Sequence, residues 1–209
     1  MSRKKGTKAI DCSPSPEDAN KLIQSCEDPI DKMILAGAMF LGLDKGMIAH
    51  LTKTWIILHE NIIKIPDSQK CSKSCCKEKR KGIWRPKGKQ SKDGFVSYRN
   101  KYTRYYGNFP WAKEIIKSFF GIYDKFPLSE RAINSRLDRM SRRAKLEKHI
   151  TVHGLRSFAA SNYSQMVKGD ISKLCALMGW EEGSPMAQEY VKLYDLRQTL
   201  EENKDRSLI

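Results

Sequence analysis

The spacing of apolar residues changes twice along the chain, and this change restricts the folds open to it. Helical spacing marks the stretch from about Pro29 to Leu41, where apolar side chains recur every three or four residues. Runs of β-branched and aromatic residues follow between Trp55 and Ile65, which predicts two strands of a small sheet. Helical spacing returns at about Pro110 and continues towards the end of the chain. The pattern therefore predicts an α+β fold that is mainly helical, with a small antiparallel sheet in its first half.

Caps and turn residues place the individual elements. Ser15, Pro16 and Asp18 form a helix start, because the serine accepts a backbone hydrogen bond and proline suits the first turn. Gly42 is predicted to end the second helix. Helices are predicted at about 15–26, 29–41, 45–51, 110–123, 129–146, 155–167, 171–178 and 185–194. Strands are predicted at 55–58, 62–65, 82–86 and 95–98, with a basic turn at 87–94 between the last two.

The chain divides into one domain and two tails. We expect a basic disordered tail at 1–14, a domain at 15–197 with a basic, cysteine-containing insertion at 66–82, and a charged tail at 198–209. The longest apolar stretch, Met33–Leu43, is too short to span a bilayer, so no membrane partner is expected. Since the N-terminus also lacks a secretory signal, we expect a cytoplasmic protein with reduced thiols.

The charge of the chain points to a nucleic-acid partner. Thirty-nine lysines and arginines stand against 24 acidic residues, which gives a formal net charge of +15. An excess of this size in a chain without membrane segments is typical of proteins that bind polyanions. The charge alone does not separate a DNA-binding protein from an unrelated basic RNA-binding protein.

Four residues near the end of the chain form an ordered set that can carry phosphoryl chemistry. His153 and Arg156 lie one helical turn apart, and Trp180 and Tyr190 follow in that order. Arginine binds phosphate through two parallel hydrogen bonds, and histidine can bind the same phosphate or accept a proton. Tyrosine becomes a nucleophile only in cationic surroundings, because its ordinary pKa is near 10. Tyr194 is the alternative nucleophile.

This set resembles the tyrosine recombinase or phage integrase family, and its archaeal members in particular. The motifs that carry the resemblance are His153-Gly154-Leu155-Arg156, Leu177-Met178-Gly179-Trp180 and Tyr190, and the resemblance covers roughly residues 20–195. It implies the catalytic domain of a site-specific recombinase that cleaves and rejoins duplex DNA through a 3′-phosphotyrosine. It also implies a homo-tetramer on DNA, no cofactor, a nucleoid location and an origin in a virus or integrated element.

The resemblance also implies a role for each residue. Tyr190 would be the nucleophile, Arg156 and His153 would hold the phosphate, and Trp180 would donate an indole N–H. A lysine in a hairpin turn would protonate the leaving 5′ oxygen, and Lys87 matches that position best, with Lys89 as the alternative. The gap before Tyr190 is one residue longer than the family's, which requires an insertion between Glu181 and Pro185.

One catalytic position departs from the family pattern. The segment Phe40–Leu51 resembles the one that carries the first catalytic arginine and a glutamate, but Asp44 and Met47 stand at those positions. Asp44 would repel a phosphate, and the adjacent Lys45 lacks the guanidinium fork. Enzymatic activity is therefore uncertain, and a catalytically impaired DNA-binding accessory protein is the second hypothesis. Few residues precede this segment, which predicts a fragment, a minimal integrase or a reduced relative.

Two basic regions are predicted to contact the DNA backbone. One is the turn that follows the cysteine insertion, and the other is the basic face of helix 129–146. The residues concerned are Arg85, Lys89, Lys92, Arg136, Arg139, Arg142 and Arg143.

The cysteine insertion raises the question of a metal. Cys71, Cys75 and Cys76 lie close in sequence, but a structural zinc site needs four ligands. Cys12, Cys26, His59 or a second chain would have to complete it. We therefore predict no metal and keep this zinc site as the alternative.

Overall fold

The computed structural model describes residues 12–73, 76, 81–86 and 103–202 of the chain. The first helices are α1 (Pro16–Gln24), α2 (Pro29–Leu35), which continues into a π-helical turn (Ala36–Phe40), and α3 (Lys45–His50). The later helices are α4 (Pro110–Ile122), α5 (Glu130–Arg143), α6 (Val152–Met166), α7 (Ile171–Met178) and α8 (Pro185–Glu202). The fold is mainly helical with a small antiparallel sheet, as predicted.

The strands form two small antiparallel sheets. β1 (Ile56–Ile57) pairs with β2 (Ile62–Lys64), which confirms the two strands predicted here, and β5 (Thr103–Tyr105) adds to the other edge of β2. β3 (Gln69–Lys70) pairs with β4 (Ile83–Trp84) in the second sheet. The predicted strand at 95–98 lies outside the described residues, so its pairing with β4 stays a prediction. The sequence does not reveal β3, because its two residues are polar.

Helix boundaries follow the capping residues. The Ser15 hydroxyl accepts a hydrogen bond from the Asp18 N–H at 3.1 Å, and the Asp18 carboxylate accepts one from the Ser15 N–H at 3.2 Å, so the predicted start of α1 is confirmed. α6 begins earlier than predicted, because the Thr151 hydroxyl accepts from the Gly154 N–H at 2.9 Å. α8 runs on to Glu202, past the predicted boundary at residue 197. As far as residues are described, the helices are too short or too polar for a membrane-spanning segment.

The apolar core has two parts. The larger joins α1 to α5, the sheets and the start of α6, and the smaller joins the rest of α6 to α7 and α8. Helix α4 packs against α2 through the buried Ile116, Phe119 and Phe120, while Ile122 at its end is 66% exposed.

An ionic cluster joins α5 to the start of α2. The fully buried Asp31 carboxylate accepts from Arg136 at 3.1 Å and from Arg143 at 2.6 Å. Arg136 also pairs with Asp28 at 2.6 Å, and Arg143 pairs with Glu27 at 3.1 Å. These contacts give Arg136 and Arg143 a structural role, and DNA binding by them stays a prediction.

Residues 12–14, expected in a disordered tail, pack against the start of α6. Cys12 and Pro14 are buried, and Lys148 donates to the Ser13 carbonyl at 2.7 Å. A Cβ on Gly154 would lie 1.9 Å from the Cys12 carbonyl oxygen, so only glycine allows this approach. The boundary at residue 14 is therefore wrong for these three residues, and residues 1–11 lie outside the described part.

The π-helical turn fixes the position of α6. Tyr163 donates its hydroxyl hydrogen to the Phe40 carbonyl at 2.6 Å. Gly42, which follows the turn at φ +58°, leaves room for Met178, since a Cβ there would lie 2.9 Å from the methionine sulfur. A residue with a side chain would be strained in this left-handed conformation and would also clash. The predicted helix stop at Gly42 thus also sets how closely α2 and α7 approach.

Candidate functional site

A cavity of about 720 Å³ opens between α3, α5, β5 and the start of α6. Its cationic wall carries His153 and Arg156 from α6, Arg104 from β5 and Trp180 from the turn after α7. Acidic residues also line the cavity, namely Asp44 at the start of α3 and Glu130 and Asp138 on α5. The volume suits a small group such as a phosphodiester with its neighbouring sugar.

Arg156 is the best-placed anion ligand in this cavity. It lies one turn from His153 on α6, as predicted, and its side chain is 18% exposed. One terminal nitrogen donates to the Met178 carbonyl at 3.3 Å, which holds the guanidinium towards the cavity. Burial lowers the pKa of Arg156, while the nearby Asp44 carboxylate and Tyr190 oppose that shift. Arginine remains charged at neutral pH, so the group can attract a phosphate.

Tyr190 lies directly behind this wall. Its ring stacks on Trp180 with centroids 5.7 Å apart and an interplanar angle of 16°, and only 3% of the residue is exposed. Burial raises the pKa of Tyr190, while a hydrogen bond with the Ser157 side chain and the charge of Arg156 lower it in part. Arg156 and Tyr190 thus converge in space, as predicted, but the tyrosine hydroxyl is shielded from solvent.

Asp44 has two contacts that explain its position. Its carboxylate accepts a hydrogen bond from the Met47 N–H at 2.9 Å, which caps α3. The other carboxylate oxygen lies 4.0 Å from a terminal nitrogen of Arg156. Lys45, the expected substitute cation, lies 4.0 Å from a Glu130 carboxylate oxygen. A negative group therefore lies near the guanidinium in the same cavity.

Arg104 is a cavity residue that the sequence analysis missed. It is 2% exposed, and it donates to the carbonyls of Met178 at 2.8 Å and Thr103 at 3.1 Å. Its Nε is buried with no hydrogen-bond partner among the described residues. Burial and the neighbouring Arg156 charge lower its pKa to about 10, so it stays protonated at neutral pH. The sequence pattern that could have revealed it is the two-residue spacing of Arg104 and Tyr106 in a run typical of a strand. This spacing puts both side chains on the same, buried face.

Two comparisons with known proteins bear on this arrangement. Residues 95–197, which include Arg104 and all four residues of the ordered set, match the model of the phage integrase family. This part of the chain is therefore similar to the phage integrase family. A search of curated protein sequences gives no match.

The fold of the whole chain agrees with this similarity. The structure is similar to the crystal structure of XerA recombinase, with a TM-score of 0.59 and 17% sequence identity. The similarity covers 91% of this chain but 64% of XerA, so the chain spans less than two thirds of that protein. The mainly helical architecture is therefore that of a tyrosine recombinase catalytic domain.

Several residues predicted for the integrase site lie elsewhere or outside the described part. Lys87, Lys89 and Lys92 fall outside the described residues, while Arg85 is exposed just after β4. On α5, Arg139 and Arg142 are exposed, in contrast to the ion-paired Arg136 and Arg143.

Tyr194, the alternative nucleophile, packs against Gly169 in the turn after α6. Arg156 is ten residues before the end of α6, about 15 Å along the axis from that turn. Tyr190 is therefore the tyrosine that meets Arg156 in the integrase-like part of the chain.

The predicted zinc ligands separate into two groups. Cys71 and Cys76 approach each other in the insertion, whereas Cys75 lies outside the described residues. The three residues proposed to complete the site are far from it in the fold. Cys12 packs on Gly154, Cys26 contacts Met140, and His59 pairs with Glu60 in an exposed turn. No disulfide forms among the cysteines of the described residues.

Proposed function

We propose that this chain is the strand-cleaving part of a site-specific recombinase that acts on duplex DNA. The observation that carries the proposal is the convergence of Arg156, His153 and Trp180 on one cavity, with Tyr190 stacked behind Trp180. The match of residues 95–197 to the phage integrase family and the XerA-like fold support it. The net charge of +15 suits a DNA partner, whose affinity should fall steeply with salt.

The proposed reaction exchanges one phosphate ester for another. The Tyr190 oxygen attacks phosphorus, the bond to the 5′ oxygen breaks, and a 3′-phosphotyrosine and a free 5′ hydroxyl result. The tyrosine proton passes to His153 or to solvent, and Lys87 or Lys89 supplies a proton to the leaving oxygen. Attack by a 5′ hydroxyl reverses these steps and rejoins the strand, so no cofactor is consumed.

Each described residue has a distinct task in this reaction. Arg156 binds the two non-bridging oxygens, whose charge grows in the transition state, and the carbonyl of Met178 holds its guanidinium in place. Trp180 donates its indole N–H and orients Tyr190 by stacking. Arg104 supports Arg156 from behind, because both guanidinium groups donate to that same carbonyl.

Tyr190 must gain access to the phosphate for this chemistry. It lies in the second turn of α8, a helix joined to α7 through the Glu181–Ser184 turn. We expect DNA binding to shift the start of α8 and bring the hydroxyl into the cavity, since catalytic contacts often tighten only in the substrate complex.

A second function is favoured by Asp44. Its carboxylate lies 4.0 Å from Arg156 and stands where the resemblance places a catalytic arginine. A like charge beside the phosphate would oppose binding and transition-state stabilisation. The chain would then be an integrase-like accessory protein that binds DNA without cutting it.

The proposed oligomeric state and location of the protein follow from its proposed function as a recombinase. Recombination requires a tetramer on two duplexes, and a DNA substrate places the protein in the cytoplasm or nucleoid. An origin in a virus or integrated element and a relation to archaeal integrases rest on the sequence resemblance.

Covalent trapping separates the two functions. The protein is incubated with a pool of nicked duplexes of randomised sequence, and adducts are separated on a denaturing gel. We expect an adduct that disappears in Tyr190→Phe and persists in Tyr194→Phe. An adduct that survives Tyr190→Phe and is lost in Tyr194→Phe would contradict Tyr190 as the nucleophile, and an adduct that survives both changes would contradict the recombinase proposal. Salt-sensitive DNA binding without any adduct would favour the accessory function.

A further inference from the structure

Three metal-ligating side chains converge at the C-terminal end of α3. The ligand atoms of His50, Cys71 and Cys76 all lie within 4.8 Å of one another. His50 and Cys76 are 3% and 1% exposed, and Cys71 is half-buried. His50 Nε2 is 3.3 Å from the Cys76 sulfur. Two residues from the cysteine insertion thus meet the last residue of α3 in a buried pocket.

The histidine is held as metal-binding histidines are. Its Nδ1 lies 2.7 Å from the Gly46 carbonyl oxygen, one turn earlier in α3. A carbonyl accepts from an N–H, so this contact places the ring proton on Nδ1 and turns the Nε2 lone pair towards the thiols. Trp84 stacks on the His50 ring, with the ring centroids 4.9 Å apart, and restricts the ring further.

The backbone of the insertion is folded tightly around the two thiols. Cys71 N–H donates to the Gly82 carbonyl at 2.8 Å, and Gly82 N–H donates to the Cys76 carbonyl at 2.9 Å. Lys73 N–H donates to the Cys71 sulfur at 3.4 Å. A backbone N–H directed at sulfur stabilises a thiolate more than a thiol, because the donor interacts with the negative charge.

The distances fit a tetrahedral ion. With Zn–S near 2.3 Å and Zn–N near 2.0–2.1 Å, the ligand atoms of such a site are about 3.5–3.8 Å apart. The contact of 3.3 Å and the limit of 4.8 Å bracket this range, so small shifts would complete the geometry. Thiolate and imidazole ligands together favour zinc over magnesium or calcium, which take oxygen ligands.

We propose that His50, Cys71 and Cys76 bind a structural zinc ion that fastens the cysteine insertion to α3. The fourth position is taken by water. This proposal does not depend on the DNA chemistry proposed above. It replaces the expected absence of a metal, and it supplies the histidine that the sequence analysis did not find.

The consequence for the fold is local and mechanical. α3 has six residues, too few to be stable alone, and its first turn carries Asp44 on the cavity wall. Lys73 reinforces the same junction by donating to the carbonyls of Ala49, Phe126 and Leu128. The zinc ion would therefore brace the cavity wall at Asp44 and the start of the segment that continues to Lys87.

The first test measures the metal itself. The full chain is purified under reducing conditions without a histidine tag, and its metal content is measured by mass spectrometry. We expect about one zinc per chain, and we expect Co²⁺ to replace it with a thiolate charge-transfer band and a tetrahedral ligand-field spectrum. Chelation should lower the melting temperature. A chain that takes up neither metal would overturn the proposal. So would a Cys71–Cys76 disulfide that persists under these reducing conditions.

Matched cysteine variants exclude a nonspecific thiol effect. Cys71→Ser and Cys76→Ser should lose most of the zinc and the Co²⁺ band, whereas Cys26→Ser should keep both. Cys26 is a suitable control because burial, with Asp31 nearby, raises its pKa to about 12, so it remains a protonated thiol. If Cys71→Ser fails to fold, Cys71→His keeps a ligand and should retain zinc with a weaker charge-transfer band. Equal zinc in Cys71→Ser, Cys76→Ser and the parent would contradict the site.

Discussion

Aspartate and arginine meet in two places in this molecule, and the two places differ in geometry. At the junction of α2 and α5, Asp31 accepts from Arg136 and Arg143 at 3.1 Å and 2.6 Å. At the cavity, Asp44 and Arg156 are 4.0 Å apart, beyond hydrogen-bond distance. Arg136 and Arg143 both form ion pairs at hydrogen-bond distance, whereas the charge of Arg156 is only partly compensated.

This difference separates arginines that hold the fold from one that can bind a ligand. A buried carboxylate with two guanidinium partners stabilises the fold only while all three groups are present. A guanidinium in a cavity, held through a carbonyl and opposed by a distant carboxylate, can still exchange that carboxylate for a phosphate. The partly buried arginines of this molecule therefore differ in role, and the difference lies in how closely a carboxylate pairs with each of them.

The largest expected effect concerns the structural cluster. Asp31→Ala should lower the free energy of unfolding by about 3–5 kcal/mol, because it leaves two partly buried arginines without their carboxylate. Glu17→Ala removes the exposed pair with Lys21 and should cost far less, because solvent screens that pair. Urea denaturation of both variants measures the difference. Equal losses would mean that burial does not distinguish these ion pairs.

Loss of the guanidinium fork at the cavity should affect chemistry more than stability. Arg156→Lys should reduce covalent adduct formation about 100-fold, since lysine cannot bind two phosphate oxygens in parallel. Arg139→Ala removes an exposed charge and should weaken DNA binding. The slope of the logarithm of the binding constant against the logarithm of the salt concentration should become shallower by about one, and the adduct yield at saturating DNA should not change. Adduct yields and salt titrations would separate the two effects, and a fully active Arg156→Lys would contradict the assigned role.

The cationic wall also depends on a close backbone contact. Gly154→Ala should destabilise the fold by about 1–3 kcal/mol, because the new Cβ would clash with the Cys12 carbonyl. Gly121→Ala is the control, since it lies in a helix with nothing within 4 Å of its Cβ position, and it should stabilise by up to about 1 kcal/mol. Thermal unfolding measures both changes in stability, which should have opposite signs. A neutral Gly154→Ala would show that residues 12–14 do not hold the start of α6.

The smallest effect is a pH dependence of stability that comes from the structural cluster. Burial raises the pKa of Asp28, but hydrogen bonds from the Asp31 N–H and Arg136 outweigh it, so the pKa lies below its ordinary value. A lowered folded-state pKa contributes stability above about pH 4, which is lost as the pH falls further. Asp28→Asn keeps the helix cap and should flatten the stability profile below pH 4. An unchanged profile would mean that Asp28 does not contribute to acid unfolding.

The helices were largely predictable because their signals are local. The Ser15 capping box, the Gly42 stop and the α7 boundaries follow from residues within one or two turns of each other. The order of His153, Arg156, Trp180 and Tyr190 likewise identified the residues that the fold brings together.

The missed features depend on contacts between distant parts of the chain. Arg104 is buried only because β5 pairs with β2 across the cysteine insertion. His50 meets Cys71 and Cys76 through the same insertion, and no sequence spacing indicates that meeting. Arg136 and Arg143 gain their partners from α2, more than one hundred residues earlier.

The charge at Asp44 is the most direct test of the account. Asp44→Asn removes the carboxylate charge but keeps a good N-cap, and Asp170→Asn does the same at the start of α7, away from the cavity. The measurement is the affinity of both variants for a short duplex at low salt. We predict that Asp44→Asn binds about tenfold more tightly than the parent, equivalent to about 1.4 kcal/mol, with unchanged stability, while Asp170→Asn matches the parent. Equal or weaker binding by Asp44→Asn would contradict a phosphate site between Asp44 and Arg156.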